Sequence, residues 1–316
     1  MKVTEHLKNA ASTLFTFEIL PPLKGHGIQE IFDAIDLLMD FNPPFIDVTY
    51  HRQDFIYVEL PDGKIEKRPH RKRPGTVGIC AAIINRYKID PVPHIICGGF
   101  TKQDTEDALM DLDYLGIDNV LAIQGDKRRN DKSFEPEING NNNASDLLQQ
   151  VMEMNKGNYL DPDLVVKTPL KFCVGVACYP EKHSEAPNLE TDIHYLKLKQ
   201  DLGAEYAVTQ MFFDNKKYFN FLDKCRSAGI TLPIIPGIKP ITGIKQLTML
   251  PRDFSIDIPE ELTREVLKAK SPDAIRQVGE EWCTAQCKEL IQHKVPCLHF
   301  YTMGKAHPVK NIVGRL

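Results

Sequence analysis

Apolar runs recur along the chain, and most carry an acidic or aromatic side chain at or near the C-terminal end. They cover residues 14–20, 45–50, 94–97, 119–126, 171–179, 206–214, 232–239 and 297–303. The stretches between them carry helical spacing. Ile31, Ala34, Ile35, Leu38 and Met39 share one face of a helix predicted over 28–41. Further helices are predicted over 77–87, 101–115, 145–155, 189–202, 216–228, 242–250, 259–270, 272–292 and 307–313. Thr101, Ser145 and Ser271 are the expected N-caps, the last followed by Pro272 at the first helical position. Gly116, Gly203 and Gly229 stand where helices close. Eight strands alternating with helices predict an α/β fold, a (β/α)8 barrel with two extra helices before the last strand. No linker divides the chain, so 1–316 reads as one barrel domain. In that fold the strand ends build the active site.

Two polar loops are long. Residues 51–75 contain Leu60-Pro-Asp-Gly63, a hairpin signal, and residues 127–144 contain Asn139-Gly-Asn-Asn-Asn143. Both fall on the strand-end side and are lid candidates. The run Lys67-Arg-Pro-His-Arg-Lys-Arg73 allows a nucleic-acid patch, a solvated loop or a set of charges that attract an anionic substrate tail.

Composition narrows the class. Net charge is −4, which argues against a nucleic-acid partner for the chain as a whole. No apolar run approaches the ~18 residues of a membrane span, and the first residues hold no secretory core. A cytoplasmic protein is expected. The eight cysteines contain no Cys-x-x-Cys pair; Cys283 and Cys287 could form half a metal site, but nothing supplies the other half, so no metal is expected. Glycine-rich dinucleotide, P-loop and Gly-x-Ser-x-Gly motifs are missing from the sequence.

The candidate chemistry sits at the strand ends. Glu18 lies between Phe17 and Ile19, where desolvation raises a carboxyl's pKa and suits it to general-acid work; it could equally pair with a cation inside the barrel. Asp126 follows Gly125 and can accept hydrogen bonds from a heterocycle, or serve as a turn residue. Gln210 projects from an apolar strand, to orient a ligand or to satisfy buried backbone. Tyr179-Pro-Glu-Lys-His183 combines a ring, an imidazole and charges, a mixture suited to phosphate and ring contacts. Lys239 at a strand end supports an alternative, a Schiff-base lyase or aldolase.

Seven segments in order resemble the signature blocks of the methylenetetrahydrofolate reductases. They are Phe17-Glu-Ile-Leu-Pro-Pro22, Asp47-Val-Thr-Tyr50, Gln124-Gly-Asp126, Ala177-Cys-Tyr-Pro-Glu-Lys-His183, Thr209-Gln-Met-Phe-Phe-Asp214, Pro236-Gly-Ile-Lys-Pro240 and Leu298-His-Phe-Tyr-Thr-Met303. The resemblance implies an FAD enzyme that takes a hydride from NADH or NADPH and passes it, by ping-pong kinetics, to 5,10-methylenetetrahydrofolate in one-carbon metabolism and methionine supply. It implies Glu18 as general acid and Asp126 as a catalytic residue against the pterin and flavin. Gln210, Leu250, Tyr301 and Met303 would bind substrate. Thr49, Tyr50, His94, Gln124, Gly125, Asp126, Ala177, Tyr179, His183, Asp192, Lys199 and Ala204 would line the FAD site, with Lys199 and His183 near its pyrophosphate. Gln124 stands where the family often has Arg, and Tyr195 where bacterial relatives have Asn. Because the chain stops at 316, a short bacterial-type enzyme without the S-adenosylmethionine domain is expected. A homo-oligomer is expected as well, and a non-catalytic folate- or flavin-binding protein is a second alternative to the reductase.

Overall fold

The computed structural model of the protein describes residues 1–128, 131 and 133–316. The remaining positions of the 127–144 loop lie outside the described residues. The parallel strands are β1 (Leu14–Ile19), β2 (Phe45–Val48), β5 (Asp90–Ile96), β6 (Asn119–Ile123), β7 (Cys173–Cys178), β8 (Tyr206–Thr209), β9 (Ile234–Ile235), β10 (Gly237–Ile238) and β11 (Cys297–Tyr301). The hairpin β3 (Asp54–Glu59) and β4 (Ile65–His70) stands apart as an antiparallel pair, turning at the predicted Pro-Asp-Gly. The parallel sheet runs β10-β11-β1-β2-β5-β6-β7-β8-β9. Its two ends are halves of one strand interrupted at Pro236, which has no N–H to give to a ladder. β9 pairs with β8 and β10 with β11, so the sheet closes. The seam is stitched by Gly237 N–H donating to Thr209 Oγ1 at 2.8 Å and His299 N–H donating to the Pro236 carbonyl at 3.0 Å. This is the expected (β/α)8 barrel.

Period-two alternation sorts the strand residues. Phe17, Ile19, Ile46, Val48, Val174 and Val176 join the large core beneath the surrounding helices. Phe45, Val92, Leu121, Cys173, Tyr206, Val208, Ile235 and Cys297 fill the barrel interior. Helix α1 (Val3–Asn9), not expected from the sequence, inserts Val3 into that interior cluster. Val3 N–H donates to Asn119 Oδ1 at 2.8 Å, and Asn119 Nδ2 donates back to the Met1 carbonyl at 2.9 Å. One buried amide thus fastens a short apolar stopper in the lower mouth.

The outer helices are α2 (Gln29–Asp36), α3 (Thr76–Tyr87), α4 (Lys102–Tyr114), α5 (Ala144–Met154), α6 (Leu189–Leu202), α7 (Asn215–Ser227), α8 (Gln246–Phe254), α9 (Glu260–Lys268), α10 (Pro272–Gln292) and α11 (Ala306–Val313). Several expected boundaries move, each for a local reason. The helix over 28–41 divides into α2 and a 3-10 turn over Met39–Phe41. α5 is capped by Asn143 rather than Ser145, because the Asn143 side-chain Oδ1 accepts from the Ser145 and Asp146 N–H groups. The helix expected over 242–250 runs instead over Gln246–Phe254: the Gln246 side chain accepts from Thr242 N–H at 2.6 Å and holds 242–245 in a turn, and Pro251 is accommodated within the helix. β5 begins at Asp90 rather than 94. Pro91 and Pro93 fall where it pairs only with β2, and pairing with β6 starts at His94. The tails 124–126 and 210–214 leave the sheet after β6 and β8 and become loops at the upper mouth.

Candidate active site

A cavity of about 680 Å³ opens at the C-terminal ends of the strands. Its lower wall is apolar, made by Leu121, Ile123, Val208 and Met211, and its rim carries rings and hydrogen-bonding edges. The barrel gathers most of the expected residues here: Glu18, Thr49, Tyr50, His94, Gln124, Gly125, Asp126, Ala177, Tyr179, His183, Gln210, Tyr301 and Met303.

Glu18 ends the inward row of β1 and is buried. Burial pushes its carboxyl up to about 7, partly opposed by the nearby His94 and reinforced by Asp47 and Asp126. That value leaves the carboxyl about half protonated at neutral pH, where an ordinary glutamate is fully ionised, and matches the acid to its working pH. His94 Nε2 lies 3.9 Å from Glu18 Oε2 and 3.4 Å from Asp47 Oδ2. Burial lowers the proton affinity of His94, but the Asp47 hydrogen bond and the Glu18 and Asp47 charges outweigh it, so its pKa is raised.

Gly125 brings bare backbone to the cavity wall. Its φ is +81°, and a Cβ there would lie 3.1 Å from Ile96 Cβ, so both conformation and space require glycine. Gln124 donates to Glu185 at 3.3 Å. Tyr179 and His183 pack ring to ring at 4.7 Å, and Tyr50 meets Phe100 edge-on at 4.9 Å. The Tyr301 hydroxyl is spent on the Thr209 carbonyl at 2.6 Å, which leaves its ring to face the cavity.

Four expected residues stand outside the cavity lining. Asp192 accepts from the His183 backbone N–H at 2.7 Å and so braces the Tyr179–His183 turn from behind. Lys199 is half-buried, with Nζ donating to the Ala177 carbonyl at 3.2 Å; desolvation of the amine lowers its pKa. Ala204 lies in the outer core. Leu250 is fully buried with Met211, Phe213 and Ile241, while Phe254, one helical turn further along α8, lines the cavity. Lys239 reaches a separate pocket of about 70 Å³ beside Lys305. Burial and the Lys305 charge lower its pKa to about 8. The lyase reading needed this amine in the main cavity, and the turn after β10 carries it elsewhere.

Sequence reasoning missed His51, His299, Asp253 and Phe254, all of which line the cavity, and of the basic run 67–73 only Arg73 joins them. The inward alternation of β11 points to His299 once Tyr301 is placed. The hairpin's basic run is largely paired within itself: Lys72 with Asp54, Arg68 with Glu66, and Lys67 over the Phe55 ring. Arg73 donates to the Pro21 carbonyl. Among the described residues no helix is long and apolar enough to cross a membrane, and no group of three metal-ligating side chains comes together.

The model of the family described as "Methylenetetrahydrofolate reductase" matches residues 2–316. The chain belongs to the methylenetetrahydrofolate reductase family. Methylenetetrahydrofolate reductase 1 of Schizosaccharomyces pombe is 30% identical over 321 residues, covering 100% of this chain and 48% of that protein. The 5,10-methylenetetrahydrofolate reductase of Escherichia coli is 30% identical over 293 residues, covering 92% of this chain and 86% of its own length. Against the fission-yeast, nematode and Arabidopsis reductases this chain spans about half of the relative's length. An uncharacterized protein from Clostridium thermocellum, solved with two copies of 5-methyl-5,6,7,8-tetrahydrofolic acid, shares the fold with a TM-score of 0.60 at 14% identity, over 99% of this chain and 97% of that one. In this reductase family chain, then, the cavity occupies the barrel end where the fold places active sites.

Proposed function

We propose that residues 1–316 act as one catalytic barrel that reduces 5,10-methylenetetrahydrofolate to 5-methyltetrahydrofolate, with NADH or NADPH as hydride source and FAD as the bound carrier. Family membership supports the reaction. The observation that carries the site assignment is Glu18, a buried carboxyl with its pKa raised to about 7, on the wall of the strand-end cavity.

The cavity's donor set fits FAD. Its apolar wall suits a flat ring system, and Thr49, Gln124, Asp126, His183 and Gln210 offer hydrogen-bonding groups along the rim. The cavity volume of about 680 Å³ is in the range of cofactor sites. When bound, the flavin supplies the capacity to accept a hydride from a nicotinamide and give it up again. Every other requirement falls to side chains of this chain. Glu18 holds a proton for the substrate nitrogen that departs when the methylene bridge opens. Asp126 and Gln210, from the loops after β6 and β8, orient the pterin. Tyr179 and Tyr301 bound the ring faces and exclude water. Asp192 and Lys199 act at one remove, by bracing the turn and the strand that carry His183 and Ala177.

Replacing Glu18 by Gln tests the assignment. The amide keeps the shape and removes the acid, so E18Q should retain flavin binding and reduction by NAD(P)H while losing about 10²-fold or more in folate turnover. Unchanged folate turnover in E18Q would refute the role of Glu18.

A further inference from the structure

Beside Glu18, at the partner position on β2, the barrel buries a second carboxylate. Asp47 is 1% exposed, and its Oδ1 has no hydrogen-bond partner. Buried charges are costly to keep, and an unpaired oxygen on one demands a reason. The groups around it come from four strands, one helix and two loops. Glu18 and Thr16 stand on β1, His94 on β5, and His299, Cys297 and Tyr301 on β11. Tyr206 faces it from β8 and Cys80 from α3, while Asp126 and Lys239 reach Glu18 from the loops after β6 and β10. His299 Nδ1 is 3.9 Å from Asp47 Oδ1 and shares a 3.0 Å hydrogen bond with Thr16 Oγ1.

The geometry around His94 is the decisive feature. Its Nε2 lies between two carboxyl groups, Asp47 Oδ2 at 3.4 Å and Glu18 Oε2 at 3.9 Å. A bare nitrogen lone pair would repel the Asp47 carboxylate, so Nε2 carries hydrogen toward Asp47, and one N–H bonds well to one acceptor at a time. We propose that Asp47 is a positioning residue for Glu18 that acts through His94: it holds the imidazole ring with Nε2 beside Glu18 and yields the shared N–H to Glu18 when Glu18 gives up its proton. The proposal rests on the reading of Glu18 as the acid. In the step, the substrate C–N bond breaks with its electron pair going to nitrogen, and that nitrogen takes the Glu18 proton. Glu18 becomes the anion, and His94 keeps its own proton and only changes acceptor. Nothing is oxidised or reduced. The arrangement gives the nascent carboxylate an N–H within reach without exposing it to water.

The sign of the effect follows from the neighbours. The His94 charge lowers the Glu18 pKa more than the Asp47 charge raises it. Asn at position 47 removes the direct charge and also the partner that raises the proton affinity of His94, so both influences weaken and the net movement is upward. NMR of protein labelled with 13C at the glutamate carboxyl, assigned with E18Q, reads the Glu18 proton directly in the resting protein, with no substrate present. The Glu18 signal should titrate near pH 7 in the parent protein. In D47N and in H94Q it should move up by roughly one unit. D47E, which restores the charge, should return it toward the parent value, and T16V should leave it in place. An unmoved or lowered midpoint in the folded variants overturns the proposal; if D47N does not fold, H94Q alone decides. Because this titration is independent of turnover, its failure is separable from active E18Q, which would sink the acid assignment itself.

Discussion

Glu18 carries a cost in stability as well as a role. Its carboxyl moves from an ordinary value of 4.5 to about 7 on folding. Below pH 4.5 it is protonated whether the chain is folded or not, so the site costs nothing there. Between 4.5 and 7 the unfolded chain ionises Glu18 and the folded chain does not, so stability falls as pH rises and levels off above 7. A difference of that size corresponds to about 3 kcal/mol at most. E18Q should therefore be more stable than the parent at pH 8, by on the order of 1–3 kcal/mol, and indistinguishable at pH 4. Urea unfolding at the two pH values checks this; equal gains at both would mean that Glu18 is not held protonated. At this scale the sequence was informative where chemistry clashed with surroundings. A Glu between Phe17 and Ile19, or a Gly before Asp126, stands out because each violates the local pattern. His299 and Asp47 escaped notice as site residues because an inward polar residue looks like any strand residue until the neighbouring strands are in register. Leu250 and Phe254 lie four apart on one face of α8, and only the helix rotation decides which meets the cavity.

Elements were legible where local signals agreed. The Pro-Asp-Gly turn foretold the β3–β4 hairpin, Gly203 closed α6 at φ +113°, and Ser271 with Pro272 opened α10. Boundaries failed where a long-range partner overrode the local preference. Asn143 displaced Ser145 as a cap because its side chain reaches two N–H groups. α1 was invisible because seven residues hold too little periodicity to announce a helix. Its attachment is tertiary: the lower mouth of the barrel offers Val3 an apolar seat and the Asn119 amide two hydrogen bonds. N119A should remove both bonds and leave Val3 N–H buried without a partner, costing about 2–3 kcal/mol. Val3→Ala should cost less, about 1–2 kcal/mol, since it loses apolar burial alone. Thermal unfolding of the two variants measures the difference, and equal small effects would show that α1 is loosely held.

The whole molecule divides into a stable and a functional end. Below, apolar residues from seven strands and α1 pack the barrel; above, loops after the strands surround a polar cavity. The fold class was readable because eight apolar runs alternating with helices leave few other closed solutions. The break at Pro236 was not, since a proline inside an apolar run argues against a strand until both halves find separate neighbours. The central claim is that this upper cavity hosts two successive half-reactions. An anaerobic visible spectrum of FAD-loaded protein, with NADH or NADPH added and then 5,10-methylenetetrahydrofolate, tests it directly. The account predicts a flavin band that bleaches with the nicotinamide and returns with the folate. A protein that takes up no FAD, or a bleached band that the folate leaves unchanged, would contradict it.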